Sequence, residues 1–140
     1  MHETELAKVP LFADLTKREL QRIAATAREQ HYEPGATLVT QDSPGAGFFI
    51  IISGRVRVTQ RQPDGTAREV SVLQAGDTLG EMALLDDLPR SSTATAAEPT
   101  TALVLTSWEF RAALREDPDI TLKLLAALSR RLRQVEQGPH

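Results

Sequence analysis

Between residues 35 and 80 glycine recurs at gaps of roughly ten, at positions 35, 45, 47, 54, 65, 76 and 80, through short segments rich in β-formers. A chain punctuated in this way reverses direction every strand length, because glycine supplies the backbone conformations that tight turns need. Thr37 to Thr40, Gly47 to Ile52, Arg55 to Gln60 and Arg68 to Leu73 read as strands, and their spacing predicts a barrel or a sandwich. Val56, Val58 and Gln60 alternate with Arg57, Thr59 and Arg61, and Pro63-Asp64-Gly65 supplies the reversal before Arg68 to Val72 runs back. This is a hairpin with one wet face. Ile50-Ile51-Ile52 does not alternate, which predicts a strand buried on both sides or near a corner, with Gly54 in a tight turn after it. Thr93 to Thr106 reads as two more extended segments, split by Glu98-Pro99.

Helices flank this region. Thr16 is a candidate N-cap with Glu19 three residues on, and Leu20, Ile23, Ala24 and Ala27 follow at helical spacing, so the first firm helix is predicted over 17–29. Glu3 to Lys8 makes a short helical turn that Pro10 ends. Ser107 caps a short helix holding Trp108, Phe110, Ala113 and Leu114, with Glu109 toward water. Asp117-Pro118-Asp119 stops that helix and starts a longer one. Along it Ile120, Leu124, Leu128 and Leu132 recur every four residues, and Leu125, Leu128, Leu132 and Val135 trace a partly overlapping pattern. That apolar face is wider than one contact needs. Either part of it meets a second subunit, or all of it packs within its own domain.

Composition narrows the function classes. A chain of 140 residues, 41% hydrophobic, buries enough surface for one compact domain and hardly for two. The longest apolar run, Phe48 to Ile52, is five residues, far short of a membrane span. The acidic start, Met1 to Glu5, leads into no apolar segment and lacks the pattern of a secretion signal, so a cytoplasmic setting is expected. Cysteine is absent, and His2, His31 and His140 are far apart in sequence, so neither thiol chemistry nor a metal site is expected. Sixteen basic residues against nineteen acidic give a net charge of -3, the wrong sign for gripping a nucleic acid backbone with this chain alone. The cluster Arg130-Arg131-Leu132-Arg133 reads as favourable charge near a helix C-terminus. No nucleophile stands beside a base, and Asp86-Asp87, being adjacent, point in different directions from a helix. An enzyme is not expected.

One stretch departs from scaffold. Gly80-Glu81-Met82-Ala83-Leu84-Leu85-Asp86-Asp87-Leu88-Pro89-Arg90-Ser91-Ser92-Thr93 sets a carboxylate and a guanidinium around a predicted short helix. Arg90 offers a rigid fork of donors to a phosphate, and Pro89 fixes the chain just before it. Ser91 adds an amide and a hydroxyl. Gly80 permits close backbone approach, and free amides at the helix start favour an anion. Glu81 suits a ribose hydroxyl, which can donate to a carboxylate. Two plainer readings stand beside this one: Glu81 serving the helix dipole, and Arg90 as a surface cation paired with Asp86 or Asp87.

The order of helix, glycine-punctuated β segments, Gly-Glu-Met-Ala-Leu-Leu, Pro-Arg-Ser-Ser-Thr, short helix and long helix resembles the cyclic nucleotide-binding domain. That domain occurs in bacterial catabolite activator type regulators and in regulatory subunits of cyclic-AMP-dependent kinase. Pro34-Gly35, the run Gly47 to Val56, and Gln74 to Glu81 extend the resemblance over about residues 7–136, taken as one domain. It implies a mainly β fold with flanking helices: an eight-stranded jelly-roll barrel, N-terminal helices, a cassette helix over 81–87 and a long C-terminal helix. It also implies a cyclic nucleotide as ligand. Gly80 and the Ala83 amide would lie against ribose and phosphate, Glu81 would accept from the 2'-hydroxyl, and Arg90 would pair with the cyclic phosphate. Ser91 would supply an amide and a hydroxyl, and Arg131 would reach back toward the cassette glutamate.

In the activator type, hydroxyls late in the long helix contact adenine; here the matching stretch is Arg133-Gln134-Val135-Glu136. Gln134 or Glu136 substitutes for them, or the base stacks under apolar residues. Cyclic AMP is preferred to cyclic GMP. Regulators of this family continue into a helix-turn-helix domain, whereas this sequence ends four residues after Glu136, as a free-standing sensor or an excised domain. The resemblance implies a sensor whose ligand draws the cassette inward and repositions the long helix, through which a homodimer forms or an effector domain or partner protein is engaged. The alternative is a repurposed pocket in an interaction or dimerisation module.

Overall fold

The computed structural model describes residues 2–44, 47–86 and 88–136. Gly45, Asp87 at the end of the expected cassette helix, and Gln137-Gly138-Pro139-His140 lie outside the described residues. The chain clusters into two compact units, one from Ala27 to Trp108 and one joining the residues through Thr26 with those from Glu109 onward.

The first unit holds eight strands: β1 Arg28–Tyr32, β2 Thr37–Val39, β3 Gly47–Ser53, β4 Val56–Arg61, β5 Ala67–Leu73, β6 Thr78–Leu79, β7 Thr93–Ala96 and β8 Thr100–Thr106. They pair as two four-stranded sheets, ordered β1-β8-β3-β6 and β2-β7-β4-β5, with every ladder antiparallel. The eight strands are as expected in number, but the jelly-roll barrel is not formed: both sheets are open. Among the described residues no ladder joins an outer strand of one sheet to an outer strand of the other. The outer strands give the reason. β6 has two residues and β2 three, too few for a seam, while β5 is exposed from Ala67 to Val72. Closure needs tilt, stagger and pairing between edges remote in sequence, none of which glycine spacing specifies.

Phe49 and Ile51 of β3 and Ala102 of β8 form a core with Val39, Val56, Val58 and Ala94 from the other sheet. Phe48 to Ile51 are all buried, in keeping with the missing alternation. In β4, Val56 and Val58 are buried and Arg57 is exposed, as the alternation predicts, whereas β5 is wet on both faces. Its edge position removes the cover that a central strand would have.

The second unit contains α1 Glu3–Ala7, a 3-10 turn Pro10–Phe12, α2 Lys17–Ala24, most of α4 Ser107–Glu116, and α5 Pro118–Glu136. Thr16 and Glu19 form a reciprocal capping box: the Thr16 hydroxyl accepts from the Glu19 amide at 3.2 Å, and the Thr16 amide donates to the Glu19 carboxylate at 2.9 Å. α2 ends at Ala24 rather than extending to 29. The Thr26 hydroxyl donates to the Ile23 carbonyl, and Arg28 to Tyr32 are taken up by the β8 ladder. Leu6, Leu11, Phe12, Ile23, Phe110 and Ile120 are fully buried, with the Phe12 and Phe110 ring centres 5.8 Å apart. On α5, Leu124 is buried but Leu122, Leu125, Leu132 and Val135 are exposed. Among the described residues no helix is long and apolar enough to cross a membrane.

Lys123 of α5 donates to Glu19 at 2.6 Å, and this bond, followed by the Thr16 amide, holds the Glu19 carboxyl below its ordinary pKa. A carboxyl depressed in the folded state contributes stability that is present above its unfolded pKa and lost as pH falls through the folded value. Lys123→Met is therefore expected to raise the Glu19 pKa, read by NMR titration. It should also reduce the stability lost below about pH 4. An unchanged titration curve would show that the ion pair is not the cause.

Candidate functional site

β6 ends at Leu79, and Gly80 turns the chain with φ +83°. A Cβ on Gly80 would stand 2.0 Å from Arg90 Nη1 and 3.0 Å from the Gly47 carbonyl oxygen, so only a residue without one lets the guanidinium lie there. Helix α3, Ala83–Asp86, follows. Its amides are occupied: Ala83 donates to the Gly80 carbonyl at 2.9 Å, Leu84 to Glu81 at 3.3 Å and Leu85 to Met82 at 3.0 Å. The free amides expected at the helix start are therefore absent in this arrangement. Each is taken up by the carbonyl three residues back, a 3-10 pattern that tightens this single turn. Glu81 is half-buried and Ala83 buried.

Arg90 is anchored by its backbone. Its amide donates to the Ser43 carbonyl at 2.9 Å, and its carbonyl accepts from the Asp42 amide at 2.9 Å. The side chain, only 9% exposed, runs inward; Nη2 donates to the Gly47 carbonyl, and Cζ lies 5.8 Å from the centre of the Phe49 ring. Nε is buried with no hydrogen-bond partner. Among the described residues no carboxylate pairs with this guanidinium, which overturns the reading of Arg90 as a surface cation bonded to Asp86. The Asp86 carboxylate instead accepts from the Leu88 amide at 3.1 Å, and Asp87 lies outside the described residues. Burial presses on the charged form and lowers the Arg90 pKa from its ordinary value.

Gly80 and Arg90 are thus in direct contact, Ala83 is bonded to Gly80, and Glu81 adjoins them in sequence. Ser91, next to Arg90, is exposed. Arg131 belongs to the helical unit, where it lines a small cavity of about 200 Å³ with Pro10, Ala127 and Gln134. Gln134 and Glu136 are exposed on the last turns of α5. Among the described residues no group of His, Asp or Glu could hold a metal.

A cavity of about 380 Å³ adjoins Arg90, lined also by Thr37, Val39, Phe49, Val104 and Trp108. Sequence reasoning missed both the Gly47 carbonyl and the Phe49 ring, since the run from 47 to 52 reads as core alone. Trp108 lies in α4, as the sequence predicts, but it is 62% exposed at the cavity rim rather than on the helix's buried face.

The cyclic nucleotide-binding domain family matches residues 29–117. A cAMP-dependent protein kinase regulatory subunit from Yarrowia lipolytica is 38% identical over 96 residues, covering 69% of this chain and 25% of that protein. A CRP-like cAMP-activated global transcriptional regulator of Mycobacterium tuberculosis is 29% identical over 133 residues, covering 95% of this chain and 59% of that protein. The crystal structure of the N-terminal domain of a transcriptional regulator from Streptomyces coelicolor A3(2) superimposes with a TM-score of 0.89 at 29% identity, over 97% of both chains. The chain belongs to the cyclic nucleotide-binding domain family. It is a sensor or regulatory domain of the class shared by transcription factors and kinase regulatory subunits, not an enzyme. It spans a quarter of the length of the first of these curated relatives and 59% of the second.

Proposed function

We propose that residues 7–136 form one cyclic nucleotide-binding domain, in which Arg90 pairs with the cyclic phosphate and Glu81 accepts from the ribose 2'-hydroxyl. The observation that carries this reading is the buried Arg90 guanidinium, seated against Gly80 with Nε unpartnered and, among the described residues, no carboxylate paired with it. A cation in that state is stabilised by an anion brought to it. Ser91 adds its amide and hydroxyl to the phosphate. Gly80 and the Ala83 amide lie against ribose and phosphate once ligand draws that amide away from the Gly80 carbonyl. Arg131 links the ligand to α5, whose movement passes the signal to an effector domain or partner in transcription regulation or another signalling pathway. The setting is cytoplasmic.

The exposed Leu122, Leu125, Leu132 and Val135 favour a homodimer through α5. The same residues favour the second reading, an interaction module with an unused pocket. Cyclic AMP ranks ahead of cyclic GMP by likeness to the activator type, since sugar and phosphate contacts are blind to the base.

Isothermal titration with each nucleotide tests the reading. Saturable binding of one is expected; no heat from either, on folded protein, would move the weight to the interaction module. Glu81→Gln isolates the ribose contact. A hydrogen bond to a charged acceptor is worth about 1.5 to 3 kcal/mol, so affinity for cyclic AMP should fall at least about tenfold. Affinity for 2'-deoxy cyclic AMP should stay as in the wild type, and an equal loss for both ligands would remove Glu81 from the ribose.

A further inference from the structure

The cavity beside Arg90 is built unlike a nucleotide seat. Gly80, Glu81, Ala83 and Ser91 do not line it, and among the described residues its lining contains no carboxylate that could accept from a sugar hydroxyl. Its apolar walls are Leu38, Val39, Phe49 and Val104, with hydroxyls from Thr37, Thr40, Ser43 and Thr106 and with Trp108 at the rim, and among the described residues its one charge is Arg90. About 380 Å³ falls within the range of small-ligand sites. A mainly apolar chamber headed by one buried cation matches an amphipathic anion in shape and charge: a carboxylate head for the guanidinium and a hydrocarbon body for the walls.

We propose that this cavity binds a small apolar monocarboxylate through Arg90, and that such a ligand competes with cyclic nucleotide for the same guanidinium. Arg90 is shared between two compartments: Nη1 lies against Gly80 of the cassette, while Nη2 bonds Gly47 and Cζ sits over Phe49, both of which line the cavity. One cation cannot satisfy two anions, so each ligand weakens the other. The competition rests on the phosphate role of Arg90; binding in the cavity does not.

Trp108 is the only tryptophan, so its fluorescence reports the rim directly. Titrating the intact protein with octanoate is expected to change that emission saturably. Octanol, with the same tail and no charge, should bind at least about tenfold more weakly. Val104→Phe fills the chamber and should abolish the octanoate response while cyclic AMP still binds; Val104→Met serves if the phenylalanine variant does not fold. Octanoate should also raise the apparent Kd for cyclic AMP in proportion to its concentration. No saturable change with octanoate, an equal response to octanol, or a response that survives filling of the cavity would overturn the site. Octanoate binding without competition would overturn the sharing of Arg90. A protein that responds to octanoate but binds neither cyclic nucleotide would keep the cavity and remove the phosphate reading.

Discussion

Replacing Arg90 with methionine is expected to lower cyclic-nucleotide affinity by at least about a hundredfold while leaving the protein folded, because two or more charge-assisted bonds of about 1.5 to 3 kcal/mol each disappear. The free protein should melt at an unchanged or higher temperature. Arg90 is 9% exposed, and among the described residues its guanidinium has no carboxylate partner and leaves Nε unsatisfied, so removing it relieves a desolvation cost. Methionine fills similar space beside Phe49, and the opposing loss is the bond to the Gly47 carbonyl. Ligand and stability thus separate: saturating cyclic AMP should raise the melting temperature of the wild type and leave that of the variant in place. Titration calorimetry and a thermal scan read both halves. Wild-type affinity in a folded Arg90→Met protein would sink the phosphate role.

The largest effect on stability is expected at Gly54. It sits between β3 and β4 at φ +98°, and a Cβ there would meet Thr100 Oγ1 at 2.4 Å, the Pro99 carbonyl oxygen at 2.5 Å and Thr100 Cα at 2.6 Å. Two of these are backbone atoms, which cannot rotate away. The left-handed conformation costs alanine about 1 to 2 kcal/mol and overpacking about 1 to 3 more, so Gly54→Ala should lose about 2 to 5 kcal/mol. Gly65→Ala is the control, with a similar φ of +88° and nothing within 4 Å of the added carbon. It should lose only the conformational part. Urea denaturation of the two variants separates the terms, and equal losses would show that crowding at Gly54 relaxes.

Much of this architecture was legible because the signals are local. The capping box at Thr16 and Glu19, the breaks at Pro10 and Pro118, the turn at Gly54 and the alternation of Val56 and Val58 each involve residues a few positions apart. The proposed cassette residues were picked out for the same reason: Gly80, Glu81, Arg90 and Ser91 fall within one short segment and match a family pattern. Errors arose where a distant partner decides. α2 stops at Ala24 because β8 claims the residues from Arg28 onward, a pairing across more than seventy positions. β5 reads as half-buried by alternation and is exposed because it stands at a sheet edge. Arg90 could be read as a surface cation until the Gly47 carbonyl and the Phe49 ring were found around it.

The sequence by itself determined the helix starts at Thr16 and Pro118 and the turns at Gly54 and Gly65, since each follows from backbone preference and side-chain period over a few residues, while the number of strands and the cassette came from the family pattern. Only the tertiary structure decided that the two sheets stay open, that Arg90 is buried against the Gly47 carbonyl and the Phe49 ring, and that Trp108 rims a cavity. Those outcomes depend on which remote strands pair and on which groups end up away from water, and burial and pairing are properties of the packed chain.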